Sequence, residues 1–200
     1  MAAETAVQDF NLANVGDSAK REALSIWYNC RVSHDGSAAG TLASPVWELV
    51  GYKLTGGDVS VDYETDETKK DILGNTFVSL SGAKRSIDLS GWDTIKGSHL
   101  QVDIMNAMRY ENNGGMAYLE SGGDFCLVHH YAGSSGAMLA ERWSGCGIKP
   151  TRQGGDGGGN LTLDATVTFS GEKTIGTAAI NGSTMTFTET EAPAWPGNIS

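Results

Sequence analysis

The chain has 200 residues, of which 40% are hydrophobic and 27 are glycine, and its net charge is −10. This composition excludes a wholly disordered chain, and the pI near 4.7 argues against a protein that holds nucleic acid through many phosphate contacts. The sequence has no apolar run of the ~20 residues that a membrane span needs. Its N-terminus lacks the basic and apolar regions of a signal peptide, so we expect synthesis in a cytoplasm.

The first part of the chain predicts an arm followed by two strands. Residues 1–25 are polar and alanine-rich, which is typical of an arm that becomes ordered on a partner. A single domain is then expected over 26–187, beginning with strands at 26–32 and 46–53. Residues 188–200 form a proline-containing C-terminal tail.

Residues 57–90 predict an unusually long hairpin. Apolar and polar residues alternate from Asp58 to Glu64, which is the period of a half-buried strand, and 86–90 repeats the pattern. The connection 65–71 carries five charges in seven residues and is longer than a hairpin needs. Such a connection either moves freely or docks on another chain.

The remaining elements are predicted from hydrophobic spacing and turn residues. A helix is expected over 93–112, because its apolar residues fall near one face and glycines follow it. Further strands are expected at 116–120, 125–131, 140–150, 161–169 and 184–190. One central helix among many strands predicts an α+β or mainly β domain.

Polar positions on the alternating strands predict one hydrophilic sheet face. Because side chains two residues apart on a strand point to the same side, these residues share a face if the strands pair in register. They are Ser60, Asp62, Glu64, Lys84, Ser86, Asp88, Thr162, Asp164, Thr166 and Thr168.

Candidate catalytic and metal-binding motifs favour structural interpretations. The glycine-rich segment 154–159 precedes a strand and lacks a following Gly-Lys-Ser/Thr, so it predicts a hairpin loop rather than a phosphate loop. His129 and His130 are adjacent on a strand and point to opposite faces. The three cysteines, Cys30, Cys126 and Cys146, predict buried free thiols. We therefore expect neither an enzyme nor a cofactor or metal.

The order of elements resembles the major tail tube protein of long-tailed bacteriophages and related phage-tail-like particles. The resemblance is carried by the strand, charged loop and strand over 58–88, by the helix directly after it, and by the glycine-rich loop with a late strand ending in 167–172. Together these cover roughly residues 46–180.

The resemblance implies a fold and an assembly. The fold is two packed antiparallel sheets, sandwich- or barrel-like, flanked by one α-helix, with a long extended hairpin loop and terminal arms. Subunits would join into hexameric rings that stack into a hollow tube through which DNA passes during ejection. The polar face would line the lumen, with Ser60, Asp62, Glu64, Lys84, Ser86, Asp88 and Asp164 as its residues. Its acidic residues Asp62, Glu64, Asp88 and Asp164 would repel the phosphates of the passing DNA.

The same resemblance implies contacts between copies and with other tail proteins. The hairpin connection would join ring to ring through Asp66, Glu67, Lys69, Lys70, Asp71, Ile72, Leu73, Phe77, Val78 and Leu80. Phe10, Trp195 and Pro196 would anchor the terminal arms. Further partners would be the tape measure, tail terminator and distal tail proteins. The protein would belong to the virion tail and be assembled in the bacterial host cytoplasm, without a membrane partner.

Two other functions fit the composition. A ligand- or carbohydrate-binding β-sandwich fits the five tryptophans, although these are dispersed along the chain. A capsid-decoration or tail-completion protein would share the β-rich composition.

Overall fold

The computed structural model describes residues 24–30, 44–65, 69–70, 76–77, 80–134, 136–155 and 157–190. Strands dominate this part of the chain, so the predicted α+β, mainly β class is confirmed, whereas the packing of two sheets stays a prediction. The strands are β1 (Leu24–Asn29), β2 (Trp47–Val50), β3 (Asp58–Thr65), β4 (Lys69–Lys70), β5 (Thr76–Phe77), β6 (Leu80–Leu89), β7 (Gly123–Ser134), β8 (Ala137–Gly154), β9 (Thr162–Phe169), β10 (Glu172–Asn181) and β11 (Thr184–Glu189). The helices are α1 (His99–Arg109), a 3₁₀-helix (Glu111–Asn113) and α2 (Gly115–Ser121).

The chain divides into two compact units. The first comprises Met1–Val50, Asp124–Trp143 and Glu172–Ser200, and the second comprises Gly51–Gly123 and Ser144–Gly171. The predicted single domain over 26–187 stays a prediction.

The first unit contains antiparallel strands around an apolar cluster. β1 pairs with β2 on one side and with β7 on the other, and β10 pairs with β8 and β11. Strands of this kind bury alternate residues, and the buried ones pack together. The cluster consists of Trp27, Trp47, Cys126, Val128, Met138, Ala140, Ala178 and Met185.

The second unit is built on the strand order β3, β6, β9 and the C-terminal part of β8. Every pair in this order is antiparallel. One row across the strands joins Val59, Ile87, Val167 and Ile148 in register. Ile87, Val167 and Ile148 are buried, so this row belongs to the core side of the strands.

The helix predicted over 93–112 is shorter than expected. Residues before it are held by the sheet: the Thr94 backbone N–H donates to the Leu161 carbonyl at 2.7 Å, and Asp93 bridges to Thr162. The buried Gln101 side chain accepts from the Ile95 N–H and donates to the Asp93 carbonyl, both at 2.9 Å. The α-helix therefore begins only at His99 and ends at Arg109.

Two elements were not predicted correctly. Residues 116–120, predicted as a strand, belong to α2, whose ends are closed by hydrogen bonds from Tyr118 N to Gly114 O and from Gly122 N to Tyr118 O. Met116 and Leu119 have the three-residue spacing of a helix face. β10 was not predicted, because Gly176, Ala178 and Ala179 have low strand propensity.

The glycine-rich segment forms the predicted hairpin connection. Gly154 at the end of β8 lies in register with Thr162 at the start of β9, and the Thr162 hydroxyl donates to the Gly154 carbonyl at 2.9 Å. A connection between antiparallel strands has no helix N-terminus to bind phosphate.

Candidate functional site

The polar residues predicted to share a face do so in the second unit. Asp58, Ser60 and Asp62 of β3 lie in register with Asp88, Ser86 and Lys84 of β6. Ser86 and Asp88 in turn lie in register with Thr168 and Thr166 of β9. Residues directly opposite on antiparallel strands point to the same side, so these residues form one surface, here called the polar face.

The burial of the alternate residues fixes which side of the strands is the polar face. Ile87 and Leu89 of β6 are buried, as are Leu163, Ala165 and Val167 of β9. Asp58, Ser60, Asp62, Lys84, Asp88 and Thr168 are exposed. Along β9 and the end of β6, this alternation separates a solvent-facing side from a core side, as the sequence predicted, whereas Val61 and Tyr63 of β3 are exposed rather than buried.

Hydroxyl groups form the middle row of the polar face. The Ser60 and Ser86 Oγ atoms are 2.9 Å apart, within hydrogen-bond distance. Thr168 continues this row on β9, opposite Ser86. Neutral hydroxyls bind water and can exchange partners, so this row offers a polar surface without a net charge.

Two basic residues on the polar face were missed by the sequence analysis. Lys149 of β8 lies opposite Thr166, and Arg152 lies opposite Asp164. A register shift between Pro150 and Arg152 interrupts the alternation of β8. The bulge brings Arg152 to the same side as Lys149, whereas a simple period of two places these residues on different sides.

The charge of the polar face is consequently mixed rather than uniformly acidic. Its register positions hold the acidic residues Asp58, Asp62, Asp88 and Asp164 and the basic residues Lys84, Lys149 and Arg152. Glu64 occupies the next position on β3, opposite Gly82. Acidic residues are concentrated at β3 and β6, whereas Lys149 and Arg152 lie on β8.

Asp164 has a structural role that the sequence did not predict. Its Oδ1 atom accepts a hydrogen bond from the Gly91 backbone N–H at 2.9 Å and lies 3.5 Å from the Trp92 N. A carboxylate that holds backbone N–H groups is less available to a passing ligand than one surrounded by water. Asp164 therefore stabilises the turn after β6 as well as contributing charge.

The far end of the long hairpin is partly described. Lys69 and Lys70 of β4 lie in register with Phe77 and Thr76 of β5, so the two-stranded pairing resumes beyond β3 and β6. Leu80 is the first residue of β6. The other residues predicted to join rings lie outside the described residues: Asp66, Glu67, Asp71, Ile72, Leu73 and Val78.

The predicted anchors of the terminal arms also lie outside the described residues. They are Phe10, Trp195 and Pro196. The described chain begins at Leu24 of β1 and ends at Thr190, directly after β11.

Most tryptophans are unavailable as a carbohydrate platform. Trp27, Trp47 and Trp92 are buried. Trp143 is half-buried, and the Lys173 ammonium lies 5.3 Å from the centre of its ring. Sugar binding by stacking needs an exposed aromatic face, which these four side chains do not offer.

His129 and His130 have local hydrogen-bond partners, and the three cysteines are buried. His129 Nδ1 is 3.0 Å from the Tyr131 hydroxyl, whereas His130 Nε2 is 2.7 Å from the Ser25 hydroxyl. Cys30, Cys126 and Cys146, all within the described residues, are buried thiols that form no disulfide, as predicted. Burial raises the pKa of the Cys126 thiol far above its usual range, and the negative charge of Asp124 adds to the rise. A thiol in this state is a poor nucleophile.

Within the described part of the chain, no helix combines the length and the apolar character that crossing a membrane requires.

Comparison with known proteins gives remote structural similarity alone. No protein-family model matches the chain, and no curated protein matches it. Among solved structures, the sheath/tube terminator of the PVC extracellular contractile injection system in the extended state is 11% identical, covers 80% of this chain and 98% of its own, and has a TM-score of 0.41. A chain of the PVC sheath-tube complex in the extended state is 10% identical and has a TM-score of 0.40. The match covers 80% of this chain and 93% of that chain. The anti-feeding prophage tube-terminating cap is 15% identical and has a TM-score of 0.40. The match covers 82% of this chain and 94% of that chain. Because these TM-scores are below 0.5, we draw no functional conclusion from them.

Proposed function

We propose that this chain is a structural, non-enzymatic subunit of the tube of a phage tail or phage-tail-like particle. Copies of the chain would form hexameric rings, and the rings would stack into a hollow tube with the polar face lining the lumen. The observation that carries this proposal is the polar face itself, a surface across four strands whose opposite side is buried around Ile87, Ile148 and Val167. The resemblance of the sequence to tail tube proteins supports it.

The end of the strand order gives a physical reason for polymerisation. β3 is the terminal strand of its sheet and, among the described strands, pairs with β6 alone. A terminal strand presents unpaired backbone groups that favour addition of another strand. Closing the strands of several copies into a barrel satisfies these groups.

The charges of the polar face are compatible with passage of DNA. Four acidic and three basic side chains occupy its register positions, with Glu64 adjacent. A protein that binds DNA firmly needs a clear excess of basic residues over its contact surface. A weakly acidic and hydroxyl-rich wall would stay hydrated and would not hold the phosphates.

The long hairpin fits a role between rings. It continues through β4 and β5 beyond the body of β3 and β6, and a connection of this length is unnecessary for a turn within one subunit. At the tube ends, the same surfaces would meet tape measure, tail terminator and distal tail proteins. The protein would be made in the bacterial host cytoplasm and would become part of the virion tail.

Electron microscopy of the purified full-length protein tests this proposal. Rings or tubes in negative stain, with a central hole, are the expected result. A matched variant without residues 66–80 should form rings that do not stack. A protein that remains monomeric by size-exclusion chromatography at high concentration would contradict the proposal, and tubes of normal length from the deletion variant would contradict the role of the hairpin.

A further inference from the structure

The side of the β3–β6 hairpin opposite the polar face carries an exposed apolar surface. Val61 and Tyr63 point away from the polar face because they alternate with Ser60 and Asp62 along β3. They are 39% and 56% exposed. Arg85 lies directly opposite Val61 on β6 and shares this side. These three residues, Val61, Tyr63 and Arg85, are called the hairpin patch.

A second exposed apolar surface lies at the junction of the two helices of the same unit. Met108 and Tyr110 at the end of α1 are 37% and 53% exposed, and Met116 in the first turn of α2 is 48% exposed. The Gly115 N–H donates to the Tyr110 carbonyl at 3.1 Å, which holds the start of α2 against the end of α1. Together with the exposed acidic residues Glu111 and Glu120, these side chains form the helix patch.

The two patches are chemically complementary. Methionine thioethers make favourable contacts with aromatic rings, and Met108 and Met116 could pack around the Tyr63 ring. Glu120 lies four residues after Met116, so both share one side of α2. The helix patch therefore combines apolar side chains with acidic ones, although Arg109 adds one basic residue to its border. The hairpin patch combines apolar side chains with the positive charge of Arg85.

Both patches keep exposed apolar surface within one copy. Val61 and Tyr63 are exposed while Met108, Tyr110 and Met116 are also exposed in the same chain. Large apolar side chains gathered in this way on a surface mark interaction sites. A contact between unlike patches of two copies would cover this apolar area.

We propose that the hairpin patch of one copy packs against the helix patch of a second copy of this chain. A contact between unlike surfaces repeats from copy to copy and closes into a ring when the rotation is suitable. This inference rests on the proposed self-assembly and deepens it, because it names the two surfaces that meet. It also leaves the polar face of the same hairpin uncovered.

Disulfide trapping between two singly substituted chains tests this contact. Full-length Tyr63→Cys and Met116→Cys proteins are mixed under a mild oxidant, so that a 63–116 disulfide can form only between copies. The native cysteines are buried and should not react. The expected product is a disulfide-linked dimer whose 63–116 link is identified by mass spectrometry.

A mixture of Met116→Cys with Leu161→Cys is the control, because Leu161 is 49% exposed but belongs to neither patch. This mixture should give no such dimer.

The outcomes test the contact between the two patches independently of the proposed tube. A 63–116 link supports the contact, and its absence overturns the contact. Dimers of Tyr63→Cys with itself, in place of the 63–116 link, also overturn it by showing that like patches pair. Rings without the link would keep the proposed function, whereas the link without rings would keep the contact and contradict the tube. If Tyr63→Cys is not folded by circular dichroism, Val61→Cys replaces it with the same expectations.

Discussion

The Arg142 guanidinium binds the Asp124 carboxylate through two hydrogen bonds, from Nε to Oδ1 at 3.1 Å and from Nη2 to Oδ2 at 2.8 Å. The Asp124 side chain is fully buried, and Asn29 Nδ2 donates to its Oδ2 atom at 2.8 Å. The Arg142 guanidinium carbon also lies 5.5 Å from the centre of the Trp47 ring. This ion pair therefore joins β1, β7 and β8 within the first unit.

Loss of Arg142 should strongly destabilise the protein. Arg142→Met keeps an apolar stem of similar length but leaves the buried Asp124 carboxylate without its charged partner, and such a change typically costs about 3–5 kcal/mol. The free energy of unfolding, measured by urea denaturation, gives the test.

The matched control for Arg142→Met is Lys173→Met. Lys173 Nζ pairs with Glu141 Oε1 at 2.8 Å, but its side chain is 30% exposed. A partly exposed pair of this kind should contribute less than the buried pair, about 1 kcal/mol. Equal losses for the two variants would contradict the special importance of the buried pair.

Cys126 should make the stability of the protein fall at alkaline pH. Burial raises the pKa of its thiol in the folded state, so the folded chain keeps a proton that the unfolded chain loses above the ordinary thiol pKa of about 8.5. The contribution is complete below that pH and is lost as pH rises, with a slope of up to about 1.4 kcal/mol per pH unit. Urea denaturation between about pH 8 and pH 10 measures the slope.

The variant Cys126→Ala isolates this thiol from other alkaline effects. Without the titrating group, the free energy of unfolding should fall less steeply with pH than in the unsubstituted protein. Parallel curves for the two proteins would show that the Cys126 thiol is not responsible for the alkaline loss.

The strands that line the polar face were the part of the fold most accessible from sequence. Apolar and polar residues alternate with a period of two along both Asp58–Thr65 and Thr162–Phe169. The apolar side is buried in the second strand, whereas Val61 and Tyr63 of the first are exposed. The predicted polar positions consequently lie on one surface. Local alternation is sufficient here because β3 from Asp58 to Glu64 and β9 both pair with β6 without a register shift.

Other parts depended on contacts that the sequence pattern does not encode. Arg152 reaches the polar face only because of the bulge after Pro150. α2 begins at Gly115, whose backbone lies so close to the Ala107 and Tyr110 carbonyls that a Cβ atom would collide with them. The start of α1 depends on the Gln101 side chain bonding to the segment before it. These are tertiary constraints, which override local propensity.

Two aspartates on the polar face should respond oppositely to the same substitution. Asp88 lies directly opposite Asp58, a like charge, so Asp88→Asn should stabilise the isolated subunit by about 0.2–1 kcal/mol. Asp62 lies opposite Lys84, so Asp62→Asn should destabilise it by a similar amount. Thermal unfolding at low salt measures both changes. Added salt should reduce both effects because these positions are exposed. Changes of the same sign in the unfolding temperature at low salt would contradict the opposite electrostatic roles of Asp88 and Asp62.

Assembled tubes with a basic lumen should retain double-stranded DNA. Asp58, Asp62 and Asp88 are the suitable positions, because they are exposed on the polar face, whereas substitution of Asp164 would also remove its hydrogen bonds to the Gly91 turn. With all three changed to Lys, binding should become measurable and weaken linearly with the logarithm of salt concentration. Co-sedimentation of labelled DNA fragments with the tubes gives the measurement.

The matched variant with all three aspartates changed to Asn removes negative charge without adding positive charge, and its tubes should retain far less DNA. Lysine-substituted tubes that release DNA as readily as unsubstituted ones would show that the polar face does not line the path of the DNA.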